Sequence, residues 1–156
     1  MAYKRILVPV DGSPTAAQGL KAAIKLARET RAKLCLLHVV AEYTALTTPD
    51  AAVNIGPVLE AMKAAGRKTL ERCARSARAA GVNPEIALAE DIGGRVADEI
   101  VAHARRWRSD LIVMGTHGRR GVTRVLLGSD AELVVRYSPV PVLLVPAAGR
   151  GKGGLR

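Results

Sequence analysis

Aromatic residues are scarce in this 156-residue sequence: they make up 3% of it, and phenylalanine is absent. Proteins that bind single-stranded nucleic acid without sequence preference stack the bases on aromatic side chains, so the composition argues against that class. Hydrophobic residues still account for 49% of the chain, and the core must therefore consist of Val, Ile, Leu and Ala. Such an aliphatic core suits a parallel β-sheet covered by alanine-rich helices.

Long hydrophobic runs and cysteine clusters are missing too. No run approaches the ~20 residues that a membrane-spanning helix requires, and the apolar segment after Lys4 and Arg5 is too short for the core of a signal peptide. The two cysteines, Cys35 and Cys73, form neither a metal site nor a disulfide framework. We therefore expect a cytoplasmic protein without a membrane partner, with a single domain at residues 1–146 and a flexible basic tail at 147–156.

Acidic residues are outnumbered by basic ones, 14 to 24, which gives a formal net charge of +10. A charge of this size attracts polyanions. The basic residues are nevertheless spread over several helical segments, and no helix-turn-helix, zinc-finger or RNA-recognition signature accompanies them. We interpret them as solvated helix faces and expect no specific nucleic-acid partner.

Short apolar runs alternate with stretches of helical periodicity. The predicted strands are residues 5–10, 33–40, 85–89, 110–114 and 140–145. The predicted helices begin at Ser13-Pro14 and after Gly93-Gly94, and span residues 58–80 and 130–137. This alternation indicates a doubly wound α/β fold with a parallel sheet. Residues 41–57 lack periodicity and are predicted to be mostly loop.

Between the fourth predicted strand and the last predicted helix lie four glycines followed by a serine: Gly115, Gly118, Gly121, Gly128 and Ser129. Glycines let backbone amides approach a phosphate closely, and a helix N-terminus offers free N–H groups and a positive dipole end. The segment therefore predicts a phosphate cradle. The alternative is a purely structural one, in which Ser129 and Glu132 form a capping box and Gly115 is only a strand-end turn.

The spacing of Gly115, Gly118, Gly128 and Ser129 resembles the G-x2-G-x9-G-[S/T] motif of the universal stress protein family, in its ATP-binding branch. Residues 4–13, 36–39 and 139–145 also resemble strands of that family, and the similarity covers about residues 2–146. The resemblance implies a Rossmann-like, five-stranded parallel sheet in the order 3-2-1-4-5, with helices on both faces. Strands 1 and 4 are then neighbours at a switch point, where ligands bind beyond the carboxyl ends.

The resemblance also implies an adenine-nucleotide site in that crevice, for ATP (or ADP or AMP) with Mg²⁺. Asp11 would face the ribose or a metal-bound phosphate, and Val39 would meet the adenine edge. No metal site is formed by a direct cluster of side chains. The predicted nucleotide-binding residues are Pro9, Val10, Asp11, Val39, Met114, Gly115, Gly118, Arg119, Arg120, Gly128, Ser129 and Asp130.

Two carboxylates leave room for other interpretations. Asp11 could equally cap the first helix. Asp130 stands where the family often has a small or apolar residue; we expect its side chain to point outward and to weaken nucleotide binding without abolishing it. No catalytic constellation is evident, with Asp11 and His117 as the only local candidate bases. Enzymatic activity is therefore left open, with slow ATP hydrolysis as its upper limit.

The last predicted strand would be a sheet edge, and apolar edges are liabilities unless they are paired or blocked. The predicted interface of a homodimer consists of Val140, Val142, Leu143 and Leu144. The alternative is that the prolines around these residues protect a monomer. The leading hypothesis is an ATP-binding, homodimeric stress-response module with protein partners still to be identified. The alternative is a nucleotide-free interaction protein of the same fold. A phosphotransfer receiver is disfavoured, because its strand-end lysine is missing.

Overall fold

A computed structural model of the protein describes residues 2–41, 55–91, 93–116 and 127–147. The elements are, in chain order, β1 (Arg5–Pro9), α1 (Pro14–Thr30), β2 (Lys33–Ala41), α2 (Ile55–Ala79), β3 (Glu85–Asp91), α3 (Val96–Arg106), β4 (Leu111–Gly115), α4 (Ser129–Tyr137) and β5 (Val142–Val145). Most of the predicted loop at 41–57 and most of the predicted tail lie outside the described residues. None of the described helices is long and apolar enough to cross a membrane.

The five strands form one parallel sheet in the order β3-β2-β1-β4-β5. This order confirms the expectation drawn from the resemblance. β1 is the central strand, and its residues Ile6, Leu7 and Val8 are fully buried. Burial on both faces explains why the strand is a continuous apolar run and does not alternate with polar residues.

Two apolar cores lie on opposite faces of the sheet. Ile6 and Val8 belong to the core that also contains Leu20 of α1 and Leu70 of α2. Leu7, which points the other way, belongs to the core that α3 and α4 complete. Successive side chains of a strand point to opposite faces, so one strand supplies both cores. Helices therefore cover both faces, as predicted.

The start of α1 and the end of α2 follow the predicted signals. Ser13 is the N-cap of α1, and its hydroxyl accepts the N–H of Ala16 at 3.1 Å, with Pro14 at the first helical position. After α2, Gly81 has φ +85° and Val82 donates its N–H to the carbonyl of Ala77 at 2.9 Å. Gly81 directly follows the predicted helix at residues 58–80, and a glycine in this left-handed conformation is a common stop signal of helices.

The helical periodicity of the sequence predicts a buried stripe in α2 made of Leu59, Met62, Gly66, Leu70, Cys73 and Ala77. Gly66, Leu70 and Ala77 are buried, whereas the other three are only partly buried and Ala74 is fully buried in place of Cys73. A Cβ at Gly66 would lie 2.6 Å from Cδ2 of His38. The missing side chain lets the helix approach β2 closely, and steps of four residues then bring Leu70 and Ala74 to the same face.

Candidate functional site

The carboxyl ends of β1, β2 and β4 meet at the point where the resemblance places the site. Pro9 of β1 pairs with Leu37 of β2. Asp11 follows Pro9 by two residues and Val39 follows Leu37 by two residues, so both lie near the carboxyl ends of neighbouring strands. Val10 and Met114 are buried, whereas Pro9 and Val39 are partly exposed. The resemblance implies that Pro9 and Val10 line the base pocket, that Val39 meets the adenine edge and that Met114 packs beside the nucleotide. The four residues lie at the carboxyl ends of three neighbouring strands, and their roles remain predictions.

His38 of β2 is a buried residue that forms a hydrogen bond with the backbone of Val10. Its Nδ1 lies 2.8 Å from the carbonyl oxygen of Val10, which can only accept, so Nδ1 carries the hydrogen and donates it. Val10 in turn donates its N–H to Leu37 at 2.8 Å. A lone His inside a predicted strand is more often a packed residue than a ligand, and His38 is buried. The only sequence signal for the hydrogen bond between His38 and Val10 was that His38 directly precedes Val39, a predicted site residue.

Asp11 shapes the turn between β1 and α1. Its Oδ1 accepts the N–H of Ser13 at 2.8 Å. Ser13, and not Asp11, is the N-cap of α1, so the capping alternative for Asp11 is wrong. The carboxylate instead closes a short side-chain-to-backbone turn of the kind that Asp favours. This bond holds Asp11 at the carboxyl end of β1.

Gly115 ends β4 against the first turn of α1. A Cβ at this position would lie 2.5 Å from the carbonyl oxygen of Thr15 and 3.0 Å from the N of Ala16. A Cβ at Gly19 would likewise lie 3.0 Å from the N of Gly115. The glycine is therefore required by helix–strand packing, whatever else its N–H group does. This contact brings the Asp11 turn and the end of β4 side by side.

The two flanks of the glycine-rich segment are joined by a hydrogen bond. Gly128 donates its N–H to the carbonyl of Thr116 at 2.6 Å, and Thr116 donates its own N–H to Val145 at 3.1 Å. The start of α4 is thus fixed beside the end of β4. Other predicted residues of the segment lie outside the described residues, so their roles remain predictions: Gly118, Arg119 and Arg120.

The N-terminus of α4 differs from the predicted capping box. Gly128 is the N-cap, with φ −60° and ψ 153°, and no side chain caps the helix. The carbonyl of Gly128 accepts the N–H of Glu132 at 2.9 Å. Ser129 is therefore already the first helical residue, where its hydroxyl is exposed and is not the cap. The first-turn N–H groups have no intrahelical acceptors, which suits an anion.

Asp130 follows in the same turn, and its carboxyl is perturbed. Its pKa is raised, mainly because partial burial disfavours the charged form and further because of the negative charge of Asp11. The two carboxylates therefore lie within electrostatic reach of each other across the crevice. Asp130 is itself an exposed residue of the first turn, and the expectation that its outward side chain weakens nucleotide binding stays a prediction.

Asp11 and Asp130 are the two carboxylates of the crevice that are relevant to the predicted binding of Mg²⁺. Among residues 2–41, 55–91, 93–116 and 127–147, no group of three or more His, Cys, Asp or Glu side chains could hold a metal ion. Mg²⁺ is commonly bound by one or two carboxylates together with the phosphates of a ligand. Asp11 and Asp130 are the residues that would hold Mg²⁺ in this crevice, together with the phosphates of a ligand.

The cysteines are poor nucleophiles. Burial raises the pKa of the Cys35 thiol to about 12, with a further increase from the charge of Glu85. The neighbouring His103, whose Nε2 lies 3.7 Å from the sulfur, has a lowered pKa because it is partly buried and close to Arg106. Burial also raises the pKa of Cys73. Both thiols stay protonated at neutral pH, so neither supplies the thiolate that nucleophilic chemistry needs.

The fold and the site together define a class: doubly wound α/β proteins with a ligand crevice at a topological switch point, bordered by a helix N-terminus. A sequence profile of the Universal stress protein family matches residues 2–146. The chain belongs to this family.

Relatives and solved structures agree with this assignment. The chain is 36% identical to Universal stress protein MJ0531 of Methanocaldococcus jannaschii, over 92% of this chain and 82% of that protein. It is 34% identical to Universal stress protein YxiE of Bacillus subtilis, over 92% and 99%. Its fold matches that of UspA from Lactobacillus plantarum with a TM-score of 0.79 at 27% identity, over 93% and 99%.

Similar structures include complexes with a nucleotide. One of them is a universal stress protein in complex with cAMP, which matches with a TM-score of 0.67 at 26% identity, over 95% of this chain and 100% of that one. An adenine nucleotide is thus bound by a protein of the same family and fold.

Proposed function

We propose that this chain binds an adenine nucleotide, preferentially ATP with Mg²⁺, in the crevice between β1 and β4 and acts as a nucleotide-dependent module in a stress response. The observation that carries the proposal is the bond from Gly128 to Thr116, which fixes the uncapped N-terminus of α4 beside the end of β4. The family member in complex with cAMP supports the choice of an adenine nucleotide.

Each wall of the crevice has a distinct part in the proposed binding. The N–H groups and positive dipole end of α4 hold phosphate oxygens. The apolar surface that includes Val10 and Met114 packs against the nucleoside. Asp11 and Asp130 repel bare phosphates, since all these groups are negative. When bound, Mg²⁺ would supply the positive charge that reconciles the carboxylates with the phosphates.

The binding proposal is tested by Asp11→Asn. Asparagine keeps an oxygen that can accept the Ser13 N–H but removes the charge. We expect the affinity for Mg²⁺-ATP to fall by about tenfold, the value of one charge-assisted hydrogen bond. Without Mg²⁺ the affinity for ATP should rise, because a repulsive charge is gone. Calorimetry with and without Mg²⁺ measures both effects.

The matched control is Asp91→Asn. Asp91 also ends a strand and also accepts a backbone N–H, that of Gly94 at 3.1 Å, but it lies in the edge strand β3. This variant should bind Mg²⁺-ATP as the wild type does. Equal affinities of the wild type and Asp11→Asn in both conditions would refute the site. If the wild type binds no adenine nucleotide, the nucleotide-free interaction protein becomes the better description.

We further propose that the chain forms a homodimer through the outer edge of β5. Leu143 of β5 is 42% exposed, whereas Val142 and Leu144 already pack on the core, as does Val140. Leu143 is thus the predicted interface residue with most surface to offer. A contact between two identical edges is self-complementary about a two-fold axis.

Leu143→Lys tests the dimer with a control at the opposite edge of the sheet. Ile86 of β3 is 44% exposed, so Ile86→Lys introduces the same charge at nearly the same exposure. Light scattering at micromolar concentration should give twice the 16.5 kDa chain mass for the wild type and Ile86→Lys. Leu143→Lys should give a monomer, because it would bury an unpaired ammonium. A monomeric wild type would contradict the proposal.

A further inference from the structure

We propose that the outer face of α2 carries a second anion site, separate from the crevice, that binds a chain of condensed phosphates. The site is a surface groove of about 360 Å³, here called the α2 groove, lined by Arg67, Lys68, Glu71, Arg72 and Arg75. The groove borders the turn between β1 and α1 through Arg72, but its own residues bind a free phosphate chain whether or not the crevice holds a nucleotide.

Helical geometry places the four cations together. Gly66, Leu70 and Ala74 face the core, so the remaining positions of the same turns face solvent. Lys68, Arg72 and Arg75 follow one another at steps of four and three residues and therefore form one row on the helix. Arg67 flanks this row. At a rise of 1.5 Å per residue, the groove extends about 12 Å along the helix from Arg67 to Arg75.

These cations lack anionic partners among the described residues. The ion pairs found there include none of the four. Glu71, the one carboxylate of the groove, lies 3.9 Å from a cation outside it, Nη1 of Arg78. Like charges at steps of three and four residues destabilise a helix. A bound polyanion would replace this repulsion by attraction, so the row of cations favours the state in which the anion is bound.

Arg72 leans on the turn between β1 and α1. Its Nη2 lies 3.3 Å from the point where a Cβ at Gly12 would be, and Oγ1 of Thr69 lies 3.6 Å from the same point. The guanidinium therefore rests against a fixed part of the fold, and less of its freedom is lost on binding than for an arginine in open solvent. The α2 groove thus has one positioned donor among more mobile ones.

The lining of the groove indicates the class of anion. It consists of guanidinium and ammonium groups and one carboxylate, with no aromatic ring for a base and no amide for a base edge. Dense charge without bases is the property of condensed phosphates. Free polyphosphate and the tail of a nucleoside polyphosphate share this chemistry.

Helix α1 offers a control with the same pattern. Its exposed cations Lys21, Lys25 and Arg28 also follow one another at steps of four and three residues. Two triple variants therefore remove the same charge from the same spacing. They are Lys68→Gln/Arg72→Gln/Arg75→Gln in the groove and Lys21→Gln/Lys25→Gln/Arg28→Gln on α1.

The test is a calorimetric titration of the full chain with tripolyphosphate near physiological salt. We expect the groove variant to lose at least about tenfold in affinity and the α1 variant less than about threefold, since long-range attraction between exposed charges is screened. Circular dichroism verifies that both variants are folded. Equal losses in both variants, or no binding by the wild type, would overturn the proposal.

Further arms separate the sources of the phosphate chain and the two sites. If free polyphosphate is the ligand, Asp11→Asn leaves tripolyphosphate affinity unchanged. If a nucleotide tail is the ligand, adenosine tetraphosphate loses affinity in both Asp11→Asn and the groove variant. Duplex DNA that displaces tripolyphosphate at equal phosphate concentration would refute selectivity for condensed phosphates. A wild type that binds tripolyphosphate but no ATP would refute the proposed function and leave this site standing.

Discussion

The amino ends of the strands are closed by paired polar groups, whereas the carboxyl ends of β1 and β4 open on a crevice with two carboxylates. At the amino end, Asp110 accepts the N–H groups of Lys4 and Arg5 at 2.8 and 2.9 Å. Arg5 donates to the carbonyl of Trp107 and lies over its ring, 4.1 Å from the centroid. Trp107 donates its Nε1–H to Glu85 at 3.0 Å. Four segments are thereby locked together.

The carboxyl end has the opposite electrostatics. The negative charge of Asp11 adds to the raised pKa of Asp130, and α4 begins without a side-chain cap. Parallel α/β sheets bind ligands at the carboxyl ends of their strands. The difference between the two ends therefore fits a protein in which the amino end stabilises the fold and the carboxyl end binds the ligand.

The largest effect is expected where the crevice itself depends on packing. Gly115→Ala places a Cβ 2.5 Å from the carbonyl oxygen of Thr15, an atom of the backbone that cannot move aside cheaply. We expect a loss of about 3 kcal/mol in the free energy of unfolding, at the upper end for overpacking. Urea denaturation measures it.

Gly81→Ala is the control for Gly115→Ala. Gly81 has φ +85° but nothing within 4 Å of its Cβ position, so only backbone strain of about 1 kcal/mol applies. If the two variants were equally stable, the close contact between α1 and β4 would be wrong, and with it the reason given for glycine at position 115.

The second largest effect is expected from variants that compare the amino ends of the strands with their carboxyl ends. Asp110→Ala removes the acceptor of two backbone N–H groups at the amino end and should cost about 1–2 kcal/mol of unfolding free energy. It should leave nucleotide affinity unchanged, whereas Asp11→Asn should change nucleotide affinity and leave stability nearly unchanged. Denaturation and calorimetry on both variants test this crossed pattern. Loss of nucleotide affinity in Asp110→Ala would remove the distinction between the ends.

Local sequence signals predicted the helices and strands because residues at the ends of these elements mark where they begin and end. Ser13-Pro14 starts α1 and Gly81 ends α2 as predicted. β5 is shorter than predicted, starting at Val142, because Pro141 before it has no N–H to donate and only accepts from Ile112. The order of the strands is not a local property, and it was predictable only through the family resemblance.

The site was less predictable, because its decisive features are not local. Gly128 and Ser129 are both acceptable N-caps, and only the bond from Gly128 to Thr116 selects the glycine. The proximity of Asp130 to Asp11 joins residues from opposite ends of the chain. The structural need for Gly115 likewise arises from α1, which is distant in sequence. Tertiary contacts decided each of these features.

The smallest expected effect concerns the charge that distinguishes the carboxyl end. A carboxylate in the first turn of a helix is normally favourable, but the pKa of Asp130 is raised, first because its carboxyl is partly desolvated and second because of the negative charge of Asp11. A folded-state pKa above the ordinary value means that the ionised group costs stability. That cost is absent in acid and develops as the pH rises through the window between the ordinary and the raised pKa.

Asp130→Asn should therefore stabilise the protein at neutral pH, by up to about 0.5 kcal/mol as is usual for an exposed position, and should have no such effect near pH 3, where carboxyls are protonated. Glu132→Gln is the control, because Glu132 lies in the same helix but pairs with Arg136 at 3.3 Å, and its loss should bring no gain. Urea denaturation of both variants at the two pH values measures the difference. A stability gain for Asp130→Asn that is equally large in acid would show that charge repulsion across the crevice is not its cause.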